Sequence, residues 1–304
     1  MEVTSLVLTH FKGDEAMPLK ETESSHWYAP DGSPCHRWKG KPTTLWTARK
    51  LQREEGIGLL PSVTNLLGSL AKPALTRWFV EQGIIATIKQ LETMGFLNAK
   101  GKKQLQQVLD ETPSGTRFKQ EAFDLSRERS GTATNFGSRW HAMAEAVALD
   151  RKPKLDDDLK PYLPFFVRWF NDSVEDVERV EHVLVDKATG YAGTCDGVFR
   201  MTGETTPGGS NFYGKLMVLD YKTSGKPTDK LRAWDDHCWQ LASYRHAVQQ
   251  AYPDEEIGCM NVLVSSLEPG EPVVHVWSEE KLAVGWEIFR KTAEIWQLQK
   301  GYKP

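Results

Sequence analysis

Cysteine is scarce in this 304-residue sequence, and the four cysteines stand far apart, at Cys35, Cys195, Cys238 and Cys259. Structural zinc sites and iron–sulfur clusters are usually built from closely spaced thiolates, so the sequence predicts neither. The same scarcity excludes a disulfide framework of the kind that supports small secreted domains, and it fits a reducing compartment.

Long apolar runs are also missing. No stretch approaches the roughly 20 residues that a membrane-spanning helix needs. The N-terminus has no basic start and only a short apolar run, unlike a secretory signal. We therefore expect a soluble, cytoplasmic protein that makes no contact with a membrane.

The chain has no excess of positive charge, with 38 Lys and Arg against 41 Asp and Glu and a formal net charge of −3. Any surface that binds nucleic-acid phosphates must therefore be local. The hydrophobic fraction of 39% is ordinary for a globular protein. The length allows one large domain, or a core with an accessory domain.

A short apolar run over residues 216–219 is typical of a strand buried on both faces, and it leads into Asp220, Tyr221 and Lys222. Side chains alternate across a strand, so Asp220 and Lys222 lie on one side and Tyr221 on the other. The simpler explanation of the two charges is a surface ion pair, which contributes little to stability. Their place at the end of a buried strand favours a metal site, with the lysine facing a reacting phosphate or water.

Three other places carry residues suited to the same site. A second predicted strand, residues 190–200, contains a single acid, Asp196, and pairing of the two strands would bring it to Asp220. His141 lies in a predicted helix over residues 135–149, where the simpler alternative is a histidine satisfied by its packing. Gln240 and Tyr244 are four apart and share one face of a further predicted helix, where ordinary packing is the alternative.

In this order, these residues resemble the RecB-type branch of the PD-(D/E)XK nucleases. That pattern is a helical His, then Gly-x-x-Asp, Asp-x-Lys and Gln-x-x-x-Tyr, matched here by His141, Gly193 to Asp196, Asp220 to Lys222, and Gln240 to Tyr244. The resemblance extends over residues 131–277, about half of the chain. Cys195 stands where the superfamily name has proline, a departure that is common in this branch.

The resemblance implies an α/β fold, with a restriction-endonuclease-like core whose central mixed sheet is flanked by helices. Strand–helix alternation after residue 130 favours the same class. We expect the nuclease core over residues 131–304. Residues 1–130 would form a mainly helical accessory region that covers the active site.

The resemblance also implies the chemistry of the site. Mg²⁺ or Mn²⁺ would be bound by His141, Asp196, Asp220 and the backbone carbonyl of Tyr221. The catalytic residues would be Asp196, Asp220, Lys222, Gln240 and Tyr244. Lys222 would orient or activate the attacking water, with Gln240 and Tyr244 positioning water or the DNA backbone beside it. Glu181, on the preceding strand, is a further candidate acid because relatives often carry a glutamate there.

Contacts with DNA are expected at scattered basic residues. Residues 61–79 are similar to the N-terminal part of phage and mitochondrial-type single-strand exonucleases, and this similarity suggests Lys72 and Arg77, for which a solvated helix face is an equal alternative. A predicted loop over residues 224–234 carries further lysines beside the site. The other candidates are Arg139, Lys226, Lys230 and Arg245.

The sequence therefore predicts a divalent-metal-dependent DNA nuclease. An exonuclease acting on DNA ends or single strands in recombination, repair or replication is favoured, in a bacterial or phage-infected cell, with a single-strand-binding or annealing protein as a partner. One alternative is a structure-specific endonuclease of the same fold. The others are a catalytically silent nucleic-acid-binding module, against which intact Asp196, Asp220 and Lys222 argue, and a non-nuclease protein that matches by chance.

Overall fold

The computed structural model describes residues 27–70, 83–89, 91–93, 135–202 and 214–304. Two compact units are present, and the described residues up to Leu70 belong with Gly137–Pro304. The second unit is Ala71–Phe136, in which residues 83–89 and 91–93 are helical. Lys72 and Arg77 lie outside the described residues. The predicted division into an accessory region and a nuclease core at residue 130 stays a prediction.

The N-terminal part of the larger unit contains short strands and two helices: β1 (Trp27–Tyr28), β2 (Arg37–Trp38), β3 (Lys41–Pro42), α1 (Leu45–Glu55), β4 (Leu60–Pro61) and α2 (Val63–Leu67). β1 pairs with β4 and β2 with β3, both antiparallel. α1 begins after Thr44, whose side chain accepts from the Thr47 amide, and ends at Gly56 with a left-handed φ of 69°.

A five-stranded mixed sheet forms the centre of this unit. Its strands are β5 (Val174–Asp186), β6 (Tyr191–Met201), β7 (Leu216–Ser224), β8 (Ile257–Ser265) and β9 (Val273–Val276), adjacent in that order. β7 and β8 are parallel and the other pairs antiparallel. The predicted α/β class with a central mixed sheet is thus confirmed.

Helices cover both faces of the sheet. They are α3 (residues 135–148), α4 (Leu163–Ser173), α5 (Asp235–Ala251) and α6 (Glu279–Lys300). On one face, Trp140 of α3 and Phe166 of α4 pack edge-on against Tyr221, with ring centroids 5.2 and 5.7 Å away. On the other face, Tyr191 packs against Phe289 of α6 and donates to the Ser243 carbonyl of α5 at 2.7 Å.

The fourth helix and the first long strand follow one another directly. α4 becomes regular only at Leu163, because Pro164 favours the first turn of a helix and the residues before it form turns. β5 begins at Val174, immediately after that helix.

The N-terminal elements pack on the central sheet and on α6. Trp27 contacts Trp296 and Tyr302, with ring centroids 6.1 and 5.8 Å apart, and the Tyr302 hydroxyl donates to the Leu59 carbonyl at 2.7 Å. Ser62, the N-cap of α2, forms a parallel bridge to Ala192 of β6. In the part of the chain that the structure describes, no helix combines the length and apolarity required to cross a bilayer.

Candidate active site

The central sheet opens between β6 and β7 at the two acids that the sequence singles out. The ladder between these strands extends from Arg200↔Leu216 to Gly197↔Leu219 and stops there. In the same register Asp196 and Asp220 would be the next opposing pair. Beyond this point β6 stays paired with β5, and β7 stays paired with β8 as far as Ser224↔Ser265. The acids therefore stand where the sheet divides into two arms.

The carboxylate of Asp196 links three elements. One oxygen accepts from the Tyr221 backbone amide at 2.6 Å, and the other lies 3.1 Å from Nδ1 of His141 on α3. Burial alone would raise the pKa of Asp196, but His141, Lys222 and the Tyr221 amide stabilise the carboxylate and the pKa is lowered. Burial opposes charging of His141, yet Asp196 outweighs it and the His141 pKa is raised.

Glu181 joins this pair. Ligand atoms of His141, Glu181 and Asp196 all lie within 4.8 Å of one another. Glu181 has a left-handed φ of 46°, which is uncommon for a residue with a side chain, and it lies between the Val180↔Gly197 and His182↔Cys195 pairs, opposite Asp196. One imidazole and two carboxylates form a donor set that suits a divalent cation such as Mg²⁺ or Mn²⁺.

Asp220 lies beside this group and is bound by different partners. Its carboxylate is 4% exposed and accepts from Lys222 Nζ at 2.7 and 2.8 Å. Asn261, in the middle of β8, donates to it at 2.8 Å and in turn accepts from Trp277 Nε1 at 2.8 Å. The pKa of Asp220 is raised because burial and the charge of Asp196 outweigh Lys222. Whether Asp220 and the Tyr221 carbonyl are ligands stays a prediction.

Lys222 connects the acids to α5. Its ammonium donates to Gln240 Oε1 at 3.1 Å, and Gln240 Nε2 donates to the Tyr244 hydroxyl at 3.0 Å. Burial would lower the pKa of Lys222, but Asp220 and Asp196 outweigh it, so the pKa is raised and the lysine is charged at neutral pH. Burial holds the pKa of Tyr244 well above its usual value, so its hydroxyl stays protonated.

Two glycines allow the helices to approach these strands. A Cβ on Gly193 of β6 would lie 2.7 Å from Tyr244 Cε1 and 3.3 Å from Val63 Cγ2, so the Tyr244 ring needs glycine at that position. A Cβ on Gly137 of α3 would lie 2.9 Å from Thr223 Oγ1. This close approach brings α3, and His141 with it, against β7.

The predicted DNA contacts have varied surroundings. Arg139 pairs with Asp156 and Asp158 at 2.8 and 2.7 Å, and Arg245 pairs with Glu279 at 2.7 Å. These two cations are therefore partly neutralised within the chain, and their role in DNA binding stays a prediction. Lys226 and Lys230 are exposed in the segment that follows β7.

Asn261 is the residue at this site that the sequence analysis missed. It is fully buried and interrupts an otherwise apolar strand, residues 257–264. A buried side-chain amide requires hydrogen-bond partners. A polar residue inside an apolar run, one strand away from Asp220, was therefore a signal that could have identified it.

No protein-family model matches this sequence, and no curated protein matches it. Solved structures that match include the crystal structure of a "Putative exonuclease" from Eubacterium rectale. The two chains are 12% identical over the matched region, which covers 56% of this chain and 68% of the chain in that structure. They superpose with a TM-score of 0.37. A similarity this low supports no inference about function.

Proposed function

We propose that this protein is a divalent-metal-dependent nuclease that hydrolyses phosphodiester bonds in DNA, of the PD-(D/E)XK superfamily and its RecB-type branch. One observation supports the proposal above all others: Asp196, Asp220 and Lys222 meet where β6 and β7 separate, with His141 and Glu181 against them. Buried carboxylates beside a histidine and a charged lysine are a costly arrangement for stability alone, since each buried charge must be desolvated.

The cation would be held by His141, Glu181 and Asp196, with Asp220 and the Tyr221 carbonyl as the further ligands that the resemblance implies. A divalent cation, when bound, acidifies a water molecule and polarises a phosphoryl oxygen. The Tyr221 amide fixes the orientation of the Asp196 carboxylate through its 2.6 Å hydrogen bond.

Lys222 and its neighbours would act on the phosphate and the water. A charged ammonium beside Asp220 stabilises negative charge as it develops on the phosphate oxygens and orients the attacking water. Gln240 accepts from the ammonium, and the Tyr244 hydroxyl stays protonated at neutral pH because burial raises its pKa, so both residues would position Lys222 and the backbone of the bound strand. Hydrolysis then adds water to phosphorus, breaks one P–O ester bond and protonates the leaving oxygen.

An exonuclease acting on ends or single strands is our preferred form of this activity, with a structure-specific endonuclease as the second candidate. A catalytically silent binding module is disfavoured because Lys222 keeps contacts to both Asp220 and Gln240. A purely binding surface would have no need for a half-buried ammonium fixed between a buried carboxylate and an amide.

The test is digestion of three substrates in Mg²⁺, Mn²⁺ or chelator. They are end-labelled linear single-stranded DNA, circular single-stranded DNA and linear duplex DNA. Lys222→Ala should abolish metal-dependent cleavage. Lys50→Ala is the matched control, since it removes a lysine that pairs with Glu54 on α1. Degradation of linear but not circular strands, with a ladder from one labelled end, would establish an exonuclease, whereas cleavage of circles would establish the endonuclease.

Metal binding is measured separately from cleavage. Mn²⁺ should raise the melting temperature of the wild type, because a ligand that binds only the folded state stabilises it. His141→Ala and Glu181→Gln should lose that shift, and Trp46→Ala should keep it. A folded wild type with neither a metal-dependent shift nor any cleavage would exclude the nuclease.

A further inference from the structure

Trp234 is a large aromatic residue that is 52% exposed. It is the N-cap residue of α5, six positions before Gln240 on the same helix. Six helical residues span about 9 Å along the axis. The Nζ atom of Lys226 lies over its indole ring, 5.3 Å from the ring centroid. An exposed ring with a cation over it is thus present one short helical segment from the Lys222–Gln240 contact.

The segment that carries this pair is firmly held. Residues 225–234 follow the end of β7 at Ser224, two positions after Lys222. The start of this segment is fixed by the Ser266 amide, which donates to the Ser224 carbonyl at 2.8 Å. The Thr228 amide donates to Glu268 at 2.7 Å, and Leu231 is buried. This segment also follows the carboxyl end of a parallel strand pair, where open α/β sheets bind their ligands.

Charge along the segment is mainly positive before Trp234. Three exposed cations precede the ring, at Lys226, Lys230 and Arg232, with one exposed acid, Asp229, among them. Two acids follow it, Asp235 and Asp236, in the first turn of α5, where they favourably meet the helix dipole. The phosphates of a nucleic-acid strand bound to this surface would therefore lie beside the cations, and its uncharged bases would face the indole.

We propose that Trp234 and Lys226 form a stacking platform for an unpaired base of single-stranded DNA, with Lys226 at the adjoining phosphate. This inference rests on the proposed nuclease function and narrows its substrate to single strands or frayed ends. Base–aromatic stacking needs an uncovered base face, which a single strand offers and a blunt duplex offers only at its ends. The ring thereby discriminates between the two forms of DNA.

The experiment measures binding by fluorescence anisotropy in chelator, so that no cleavage occurs. Three labelled probes of equal length are used: a base-bearing single strand, a single strand with abasic sugars in place of its central nucleotides, and a blunt duplex. The variants are Trp234→Ala and Trp234→Phe, which keep the backbone contact of residue 234 with His237 Nδ1. The matched control is Trp46→Ala.

Trp46 is a close chemical match for Trp234. It is 68% exposed and has Lys50 Nζ 5.5 Å from its ring centroid. It lies on α1, where Arg49 and Gln52 donate to the carbonyls of Lys300 and Lys303. Removal of Trp46 therefore controls for the loss of an exposed ring with a lysine over it.

Trp234→Ala should bind the base-bearing strand about tenfold more weakly, since stacking of one base is worth roughly a 5- to 150-fold change in affinity. Its affinity for the abasic strand and the duplex should change little. Trp234→Phe should retain most of the binding, and Trp46→Ala should match the wild type. Lys226→Met should weaken binding to both single strands and reduce the salt dependence of binding by about one phosphate contact.

Equal behaviour of Trp234→Ala and Trp46→Ala on the base-bearing strand would overturn the platform. An equal loss of affinity of Trp234→Ala for all three probes would also overturn it, since that result indicates altered charge or folding. Cleavage assays in Mn²⁺ separate this result from the nuclease proposal. A wild type that binds with the expected pattern but never cleaves would overturn the nuclease alone, and one that neither binds nor cleaves would overturn both.

Discussion

The side-chain amide of Asn261 donates a 2.8 Å hydrogen bond to the carboxylate of Asp220, and both side chains are buried. A neutral residue on one strand thereby fixes a charged residue on its parallel neighbour. The amide oxygen is itself fixed by Trp277 Nε1 at 2.8 Å. Asn261 and Lys222 thus share one oxygen of Asp220, at 2.8 and 2.7 Å, while the other oxygen accepts from Lys222 alone at 2.8 Å among the contacts of the described residues.

Asn261→Ala should destabilise the protein and impair the site together. The change removes the donor to Asp220 and leaves the buried Trp277 N–H without its acceptor, which costs about 1–3 kcal/mol for an unsatisfied group. Urea unfolding measures the stability change, and metal-dependent cleavage measures the site. Trp277→Phe is the comparison variant, because it removes the outer hydrogen bond and part of the ring but keeps the Asn261 donor to Asp220. If Asn261→Ala were less harmful to cleavage than Trp277→Phe, Asn261 would not position Asp220.

Gly193→Ala should displace Tyr244. The added Cβ would lie 2.7 Å from Tyr244 Cε1, so the ring must move and its 3.0 Å hydrogen bond with Gln240 is lost. Overpacking of this kind costs about 1–3 kcal/mol of unfolding free energy. Thermal unfolding checks the change, with Gly270→Ala as the control because its nearest neighbour would be 3.8 Å away. A Gly193→Ala protein as stable as the control would contradict the packing described.

Tyr221→Phe should leave the site intact, and the stability of the protein should be unchanged or higher. The Tyr221 hydroxyl is buried and has no hydrogen-bond partner among the residues that the structure describes, and burying an unpaired hydroxyl is unfavourable. Its backbone amide, which binds Asp196, is unaffected. We expect an unchanged or higher melting temperature and wild-type metal-dependent cleavage. A loss of activity with unchanged folding would show that the hydroxyl itself takes part in the reaction.

Asp186→Asn should destabilise the protein at neutral pH but not in acid. Asp186 is buried, and its carboxylate accepts from the Thr189 amide at 2.8 Å and from Gln250 at 3.2 Å, with His246 3.2 Å away. Burial would raise its pKa, but His246 and the Thr189 and Ala188 amides outweigh burial, and the Asp186 pKa is lowered.

A carboxyl whose pKa is lowered by folding stabilises the protein at pH values above its unfolded-state pKa of about 3.9. This stabilisation is lost as the pH falls through the folded-state pKa. The difference in unfolding free energy between the wild type and Asp186→Asn, about 1–3 kcal/mol at pH 7 for charged hydrogen bonds, should therefore shrink below about pH 4. Urea titrations at several pH values measure it. Asp157→Asn, whose carboxylate is 96% exposed, should show no such trend.

Much of the fold follows from local patterns. The apolar run before Asp220 predicts β7, and helical spacing predicts α3 and α5, because burial repeats with the period of each element. The positions of His141, Asp196 and Lys222 on separate elements follow from the same patterns. Their approach to one another depends on contacts between elements.

Other features of the site depend on long-range geometry. Glu181 reaches the site through a left-handed backbone conformation that no local pattern signals. The opening between β6 and β7 depends on where a ladder stops, and strand composition does not determine that. The neutralisation of Arg139 depends on acids 17 and 19 positions away in sequence. In each case the relevant partner is distant along the chain.

Because the ladder between β6 and β7 ends at Gly197, the Tyr221 N–H has a carboxylate acceptor from β6 in place of a backbone carbonyl. Its protection against exchange with deuterated solvent therefore depends on the state of Asp196. Any event that draws the carboxylate away, such as protonation or metal coordination, should be visible at this single amide by NMR while its neighbours on the β8 side stay protected. The chain thus contains an intrinsic probe of the proposed metal site that requires no substrate and no attached reporter group.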